Sequence, residues 1–160
     1  MSIVKFPDPI LLTPAEPFDF IKQPTDPHLL VKSMLQQMFD NNGVGLSANQ
    51  VGMPYRVFVM RAVEFNYACF NPKIVHYGQQ QALMEEGCLS YPGLIVKIKR
   101  PTEVRLRFQT ASGAIDTKTF HGLTARIVQH EMDHLDGVAF YNRATRFHRD
   151  QAMRRVGKIK

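Results

Sequence analysis

The sequence predicts a single α+β domain that ends in a basic C-terminal tail or short helix. Three observations carry that prediction. Two stretches, near 28–40 and 122–136, place apolar residues at helical spacing. Between them lie short runs rich in β-branched and aromatic residues. No linker, repeat or low-complexity tract interrupts the 160 residues. A chain of this length hides roughly 70% of its unfolded surface, so it needs neither disulfide nor metal to fold. The domain is expected over 1–142 and the tail over 143–160.

Residues 1–27 hold six of the ten prolines, at 7, 9, 14, 17, 24 and 27. They read as an extended arm over a core, with Asp8-Pro9 starting a turn. Asp26-Pro27 is a helix start, a carboxylate N-cap followed by proline at the first helical position. Leu30, Val31, Met34, Leu35, Met38 and Phe39 then recur at helical spacing, and Asn41-Asn42-Gly43 ends the helix. Strands are expected at Arg56–Met60, Lys73–Tyr77, Leu94–Arg100 and Glu103–Thr110. In the last, Val104, Leu106 and Phe108 alternate with Arg105 and Arg107, the pattern of a half-buried strand. Ala111-Ser112-Gly113 turns into a partner strand, Ala114–Phe120. From Gly122 to Asp136 the period is helical again: Leu123, Ile127, His130 and His134 form one stripe, and Gly137 stops it. A polar helix is expected over about 144–155.

Composition narrows the function classes. With 44% hydrophobic and 21% charged residues the chain is not disordered. No apolar run reaches the ~18 residues of a membrane span, and the N-terminus lacks the apolar stretch of a secretory signal; the expected location is the cytoplasm. Two cysteines, Cys69 and Cys88, are too few for a disulfide scaffold. The net charge of +6 sits in the tail: residues 143–160 hold seven Lys/Arg against Asp150 alone, while 1–142 balances thirteen against thirteen. A basic body would suggest a nucleic-acid groove; a basic tail suggests a docking segment or a solvated helix.

Chemistry enters at His130-Glu131-Met132-Asp133-His134. Histidines four apart lie one helical turn apart on one face, so both rings can reach one ion. A divalent ion lowers the pKa of a water, and the intervening carboxylate takes that proton and returns it to the leaving group. A hydrolytic ion needs a third protein donor. The continuation HExxHxxGxxH fails, because Gly137 is followed by Phe140 at the third-ligand position. The third donor is therefore expected upstream, where Glu85-Glu86-Gly87-Cys88-Leu89-Ser90 offers a thiolate. Cys69, among apolar neighbours, reads as a core thiol. The remaining feature is Gly43-Val44-Gly45-Leu46-Ser47-Ala48-Asn49-Gln50. It matches no phosphate loop; it suggests backbone running close to a ligand, with an amide donor for an oxyanion at Gln50.

Together the three segments resemble the peptide deformylase family, whose motifs GxGxAAxQ, EGCxS and HExxH read here as GVGLSANQ, EGCLS and HEMDH. Ser47 stands where the pattern has alanine. The resemblance covers roughly residues 6–137 and implies small antiparallel sheets around a central helix carrying HExxH. It implies Cys88, His130 and His134 as metal ligands, Glu131 as general base and then acid, and the Gln50 amide with the Leu89 backbone N–H as oxyanion donors. The methionine side chain would enter a pocket near Val44, Glu86, Leu123, Ile127 and His130. Backbone near Gly45 and Tyr91 would pair with the extended peptide. Glu86 needs a cation, and Arg100 is the candidate. The implied reaction is hydrolysis of the formamide on N-formylmethionyl nascent peptides, using one divalent ion. Fe(II) is the first expectation, and the ligand types leave Zn(II), Ni(II) and Co(II) open. A monomer, no membrane partner and ribosome docking through the tail complete the expectations. Two other readings stand beside these: a small zinc peptidase, and a ribosome- or nucleic-acid-binding module with a closed structural metal.

Overall fold

Helix α1 (Pro27–Asp40) begins where the Asp26 carboxylate accepts from the His28 and Leu29 N–H groups, and it buries Leu30, Met34 and Met38. A computed structural model describes residues 1–159, with side chains through Val156; the tail residues Lys158 and Lys160 fall outside the described side chains. Seven antiparallel strands follow α1 in two sheets. The larger has the order β1-β2-β3-β6-β7: β1 (Gly45–Ser47), β2 (Val57–Arg61), β3 (Asn66–Tyr77), β6 (Glu103–Gln109) and β7 (Ile115–His121). The smaller is a ribbon of β4 (Gln81–Cys88) and β5 (Tyr91–Pro101). The β6 alternation holds, with Val104, Leu106 and Phe108 buried and Arg105 and Arg107 exposed.

Three parts of the strand pattern differ from expectation. Strand β3 starts at Asn66 and so includes Cys69, which is fully buried. Strand β4 was not expected: in Gln81–Cys88 only Glu86 is buried, so no apolar alternation marks it. Strand β1 is three residues long and runs into a 3-10 turn, Ala48–Val51.

Helix α2 (Gly122–Leu135) lies at the centre, and every residue from Ala125 to Leu135 is buried. Ala125, Val128, Met132 and Leu135 pack on Phe58, Cys69, Leu106 and Phe120 of the large sheet. Because the helix is enclosed on all sides, its polar residues are enclosed too and need partners. Gly137 ends it at φ +72, where an added Cβ would stand 2.9 Å from the Leu12 carbonyl and the Pro14 nitrogen. The arm passes so close there that only glycine fits.

The arm is tied along its length. Val4 N–H donates to the Gln50 carbonyl (2.7 Å), Phe6 N–H to Ser90 (2.9 Å) and Ala15 N–H to Leu135 (2.8 Å). Asp8 caps a 3-10 turn at Pro9–Leu12. At the other end, helix α3 (Arg146–Ile159) rests on β5 and buries Ala152 in a cluster with Tyr91, Leu94, Val96, Ile98 and Phe140. Among the described residues, no helix is long and apolar enough to cross a membrane.

Candidate active site

Three elements meet at one point. Helix α2 presents His130, Glu131 and His134; the end of β4 presents Cys88; the turn after β1 presents Gln50. The donor atoms of Cys88, His130 and His134 all lie within 4.8 Å of one another. Cys88 Sγ is 3.1 Å from His134 Nε2, and the two imidazole centroids are 5.0 Å apart. One sulfur and two ring nitrogens so gathered fit a divalent ion with three protein donors and an open fourth position.

A buried network holds His130. Its Nδ1–H donates to Glu86 Oε1 at 2.9 Å, which leaves Nε2 for an ion. Arg100 grips Glu86 with Nε at 2.6 Å and Nη2 at 3.0 Å, and its Nη1 donates to Asp133 at 2.9 Å. Arg143 donates to the other oxygen of Asp133. Arg126 adds a contact to Glu86 at 2.6 Å and bonds to the Ile98 and Ala82 carbonyls. Burial alone would raise the Glu86 carboxyl, but the hydrogen bonds from His130 and Arg100 outweigh it and hold it at about 2. Burial likewise works against a charged His130, but hydrogen bonds with Cys88 and Glu86 lift it to about 10. An ion taken up by these donors must displace that proton. His134 goes the other way: burial and the charges of His130 and Arg100 hold it well below the usual imidazole range.

Of the buried carboxylates among the described residues, Glu131 alone makes no ion pair. Its Oε1 is buried with no hydrogen-bond partner. Burial pushes its carboxyl up to about 7, against the pull of His130, and a pKa near neutrality suits a proton carrier. Gly45 makes room for it, since a Cβ there would stand 2.6 Å from Glu131 Oε2. Across the site, Gln50 Nε2 donates to Ser90 Oγ (3.1 Å) and points at Cys88 Sγ (3.4 Å). The Gln50 side-chain oxygen Oε1 is turned away, accepting from the Ser47 N–H at 3.0 Å. The Ser47 hydroxyl donates to Asn49 Oδ1 (2.6 Å), and Asn49 Nδ2 donates to the His134 carbonyl (2.6 Å).

A cleft of about 520 Å³ opens beside these groups, lined by Val44, Gly45, Glu86, Leu89, Leu123 and Ile127 among others. Leu123 is 58% exposed, at the mouth, and Ile127 is buried deeper. Among the residues expected to meet the peptide, the Tyr91 side chain does not line the cleft. Its ring packs on Phe6, Phe140 and Tyr141, and Pro92 and Gly93 line the wall in its place. Arg100 stands where Glu86 was expected to find a cation. Arg126, Asp133 and Asn49 were not singled out from sequence. A signal existed for Arg126, which is one helical turn before His130 on the same face.

Comparisons with known proteins fit this arrangement. A family model described as polypeptide deformylase matches residues 1–150. A peptide deformylase of Acidobacterium capsulatum is 36% identical over 162 residues, covering 98% of this chain and 94% of that one. The crystal structure of Arabidopsis thaliana peptide deformylase 1B in complex with an inhibitor superposes with a TM-score of 0.89 at 34% identity, covering 99% of this chain and 90% of that one. A class I type b peptide deformylase of Acinetobacter baumannii, crystallised with Met-Ala-Ser bound, gives a TM-score of 0.83 at 31% identity, covering 89% and 97%.

Proposed function

The chain belongs to the polypeptide deformylase family and is a hydrolase that removes the formyl group from the N-terminal methionine of newly made peptides; on that premise, we propose how its residues divide the work. Cys88, His130 and His134 would hold the ion, which when bound would supply Lewis acidity and a lowered water pKa. Glu131 takes a proton from the attacking water as its oxygen adds to the formyl carbon. The Gln50 amide and the Leu89 N–H receive the oxygen that becomes negative. Glu131 then passes the proton to the amine nitrogen, the C–N bond breaks, and formate leaves with a free N-terminus behind. Val44, Leu123 and Ile127 offer the methionine side chain an apolar slot, with Glu86 at its polar end and its charge held by Arg100 and Arg126. Backbone at Gly45 and near Tyr91, where Pro92 and Gly93 line the cleft, would pair with the extended peptide. Met-Ala-Ser in the Acinetobacter baumannii relative suits such a slot.

The observation that carries the assignment is the partnerless Glu131 carboxylate beside three convergent donors. Formate release from formyl-Met-Ala-Ser, with Glu131→Gln alongside, tests it. The variant should retain its metal and lose about 10²-fold or more in rate, the scale of lost general acid–base catalysis. Normal turnover in Glu131→Gln would remove the role. Cleavage of unformylated peptides would point to a small peptidase.

Fe(II) is our proposal for the native ion, because a thiolate donor suits it; the same donors accept Zn(II), Ni(II) or Co(II). We place the enzyme in the cytoplasm as a monomer, with residues 1–142 as the catalytic unit and 143–160 as a basic segment that docks on ribosomal RNA. Exposed arginines 146 and 154 on α3 support docking. Because α3 covers β5, neutralising Arg146, Arg149 and Arg154 to Gln tests this more cleanly than truncation. Ribosome co-sedimentation at low salt should drop, with activity on a short peptide unchanged.

A further inference from the structure

We propose that the N-terminal arm is part of the oxyanion apparatus and that Lys5 is a positioning residue acting through Leu89. This rests on Gln50 and Leu89 being the oxyanion donors. Three consecutive arm residues bond to the segments that carry those donors. Val4 N–H donates to the Gln50 carbonyl at 2.7 Å and Phe6 N–H to the Ser90 carbonyl at 2.9 Å. Between them, Lys5 Nζ donates to the Leu89 carbonyl at 3.1 Å, from a side chain that lines the cleft. The Phe6 ring stacks on Tyr91 at 5.3 Å, which closes the grip on the far side of the turn.

The turn explains why this matters. Cys88 pairs with Tyr91, so Leu89 and Ser90 are the two central residues joining β4 to β5. The Leu89 carbonyl belongs to the peptide between them. In a two-residue turn that central peptide is the soft element, and its rotation interconverts turn types with little movement of the flanking strands. The rotating unit carries the Leu89 carbonyl and the Ser90 N–H; the Leu89 N–H lies on the preceding Cys88–Leu89 peptide, and Lys5 steadies it by pinning the other side of the same residue. No other contact holds the Leu89 carbonyl among the described residues; the neighbouring Ser90 carbonyl is held by Phe6. Lys5 therefore fixes the one peptide of the turn that the strand ladder leaves free, and pre-set donors are worth most where charge develops.

The test is carried out on the full metal-loaded chain with Lys5→Met, Lys5→Arg and Gln50→Ala. Lys5→Met keeps the length of the side chain and removes the donor. Its kcat should fall about tenfold with KM within twofold, since the lost contact serves the transition state. Lys5→Arg should restore most of the rate. Metal content and melting temperature should stay unchanged, because Lys5 is exposed. On the same metal-loaded chain, amide exchange at Leu89 and Ser90 should rise about tenfold in Lys5→Met. Gln50→Ala separates the two ideas. If it loses rate while Lys5→Met keeps wild-type kcat and exchange, the positioning role is overturned and the oxyanion reading stands. Normal turnover in both would overturn the two together. A Lys5→Met effect confined to KM, or accompanied by loss of metal, would also overturn the positioning role.

Discussion

Gly45→Ala should be far more damaging to turnover than to folding. The backbone at Gly45 is ordinary strand, outside the glycines with positive φ, so alanine brings no conformational strain. The difficulty is steric: the new Cβ would lie 2.6 Å from Glu131 Oε2 and 2.9 Å from Ile127 Cγ2. Ordinary van der Waals contact begins at about 3.4 Å, so the carboxylate must retreat by about 0.8 Å. The strand cannot yield, because β1 is paired with β2 from Gly45↔Met60 to Ser47↔Phe58, and the Arg61 N–H holds the Val44 carbonyl at 2.8 Å. Glu131 can yield, since its Oε1 has no partner to hold it. A displacement of this size at a reacting group costs about 10²-fold in rate, while overpacking by one methyl costs about 1–3 kcal/mol of stability. Steady-state formate release, thermal melting and metal analysis on the same preparation separate these. We expect kcat lower by about 10²-fold, a folded protein and full metal content. A variant within threefold of wild-type kcat would refute the placement of Glu131 against β1.

Cys88→Ala, His130→Ala and His134→Ala should each lose metal and hydrolysis, while Cys69→Ala keeps both; the reverse pattern for the two cysteines would overturn the ligand assignment. Native Cys69 should resist alkylation at pH 8, because burial pushes its thiol well above the usual range; it should react only on unfolding, as mass mapping of the modified cysteine would show. Arg100→Met leaves Glu86 and Asp133 short of a buried cation and should destabilise the fold by about 3–5 kcal/mol by denaturant titration. If the native ion is Fe(II), activity should decay in air as metal and Cys88 oxidise, and Ni(II) or Co(II) substitution should protect it; equal air stability of the iron and nickel forms would count against iron.

Local periodicity made much of the fold legible. Asp26-Pro27 and the Leu30/Met34/Met38 spacing are written within a single helical turn or two, as is the β6 alternation of Val104, Leu106 and Phe108. His130, Glu131 and His134 are legible for the same reason: helical geometry alone puts the two rings on one face. Strand β4 was hidden because it buries Glu86 alone, while its partner β5 carries the ribbon's buried apolar face. Where the Tyr91 ring goes was not legible: the strand period turns it into the cluster under α3, while the adjoining Pro92 and Gly93 line the cleft. Only the tertiary structure decided that α2 is enclosed on every side, and from that enclosure comes the Arg126–Glu86–Arg100–Asp133 network that orients His130. Sequence spacing reports which residues share a face of one element. Which charge is buried opposite which depends on contacts between elements distant in the chain, and the free energy of pairing buried charges depends on the enclosure and hydrogen-bond geometry those contacts create.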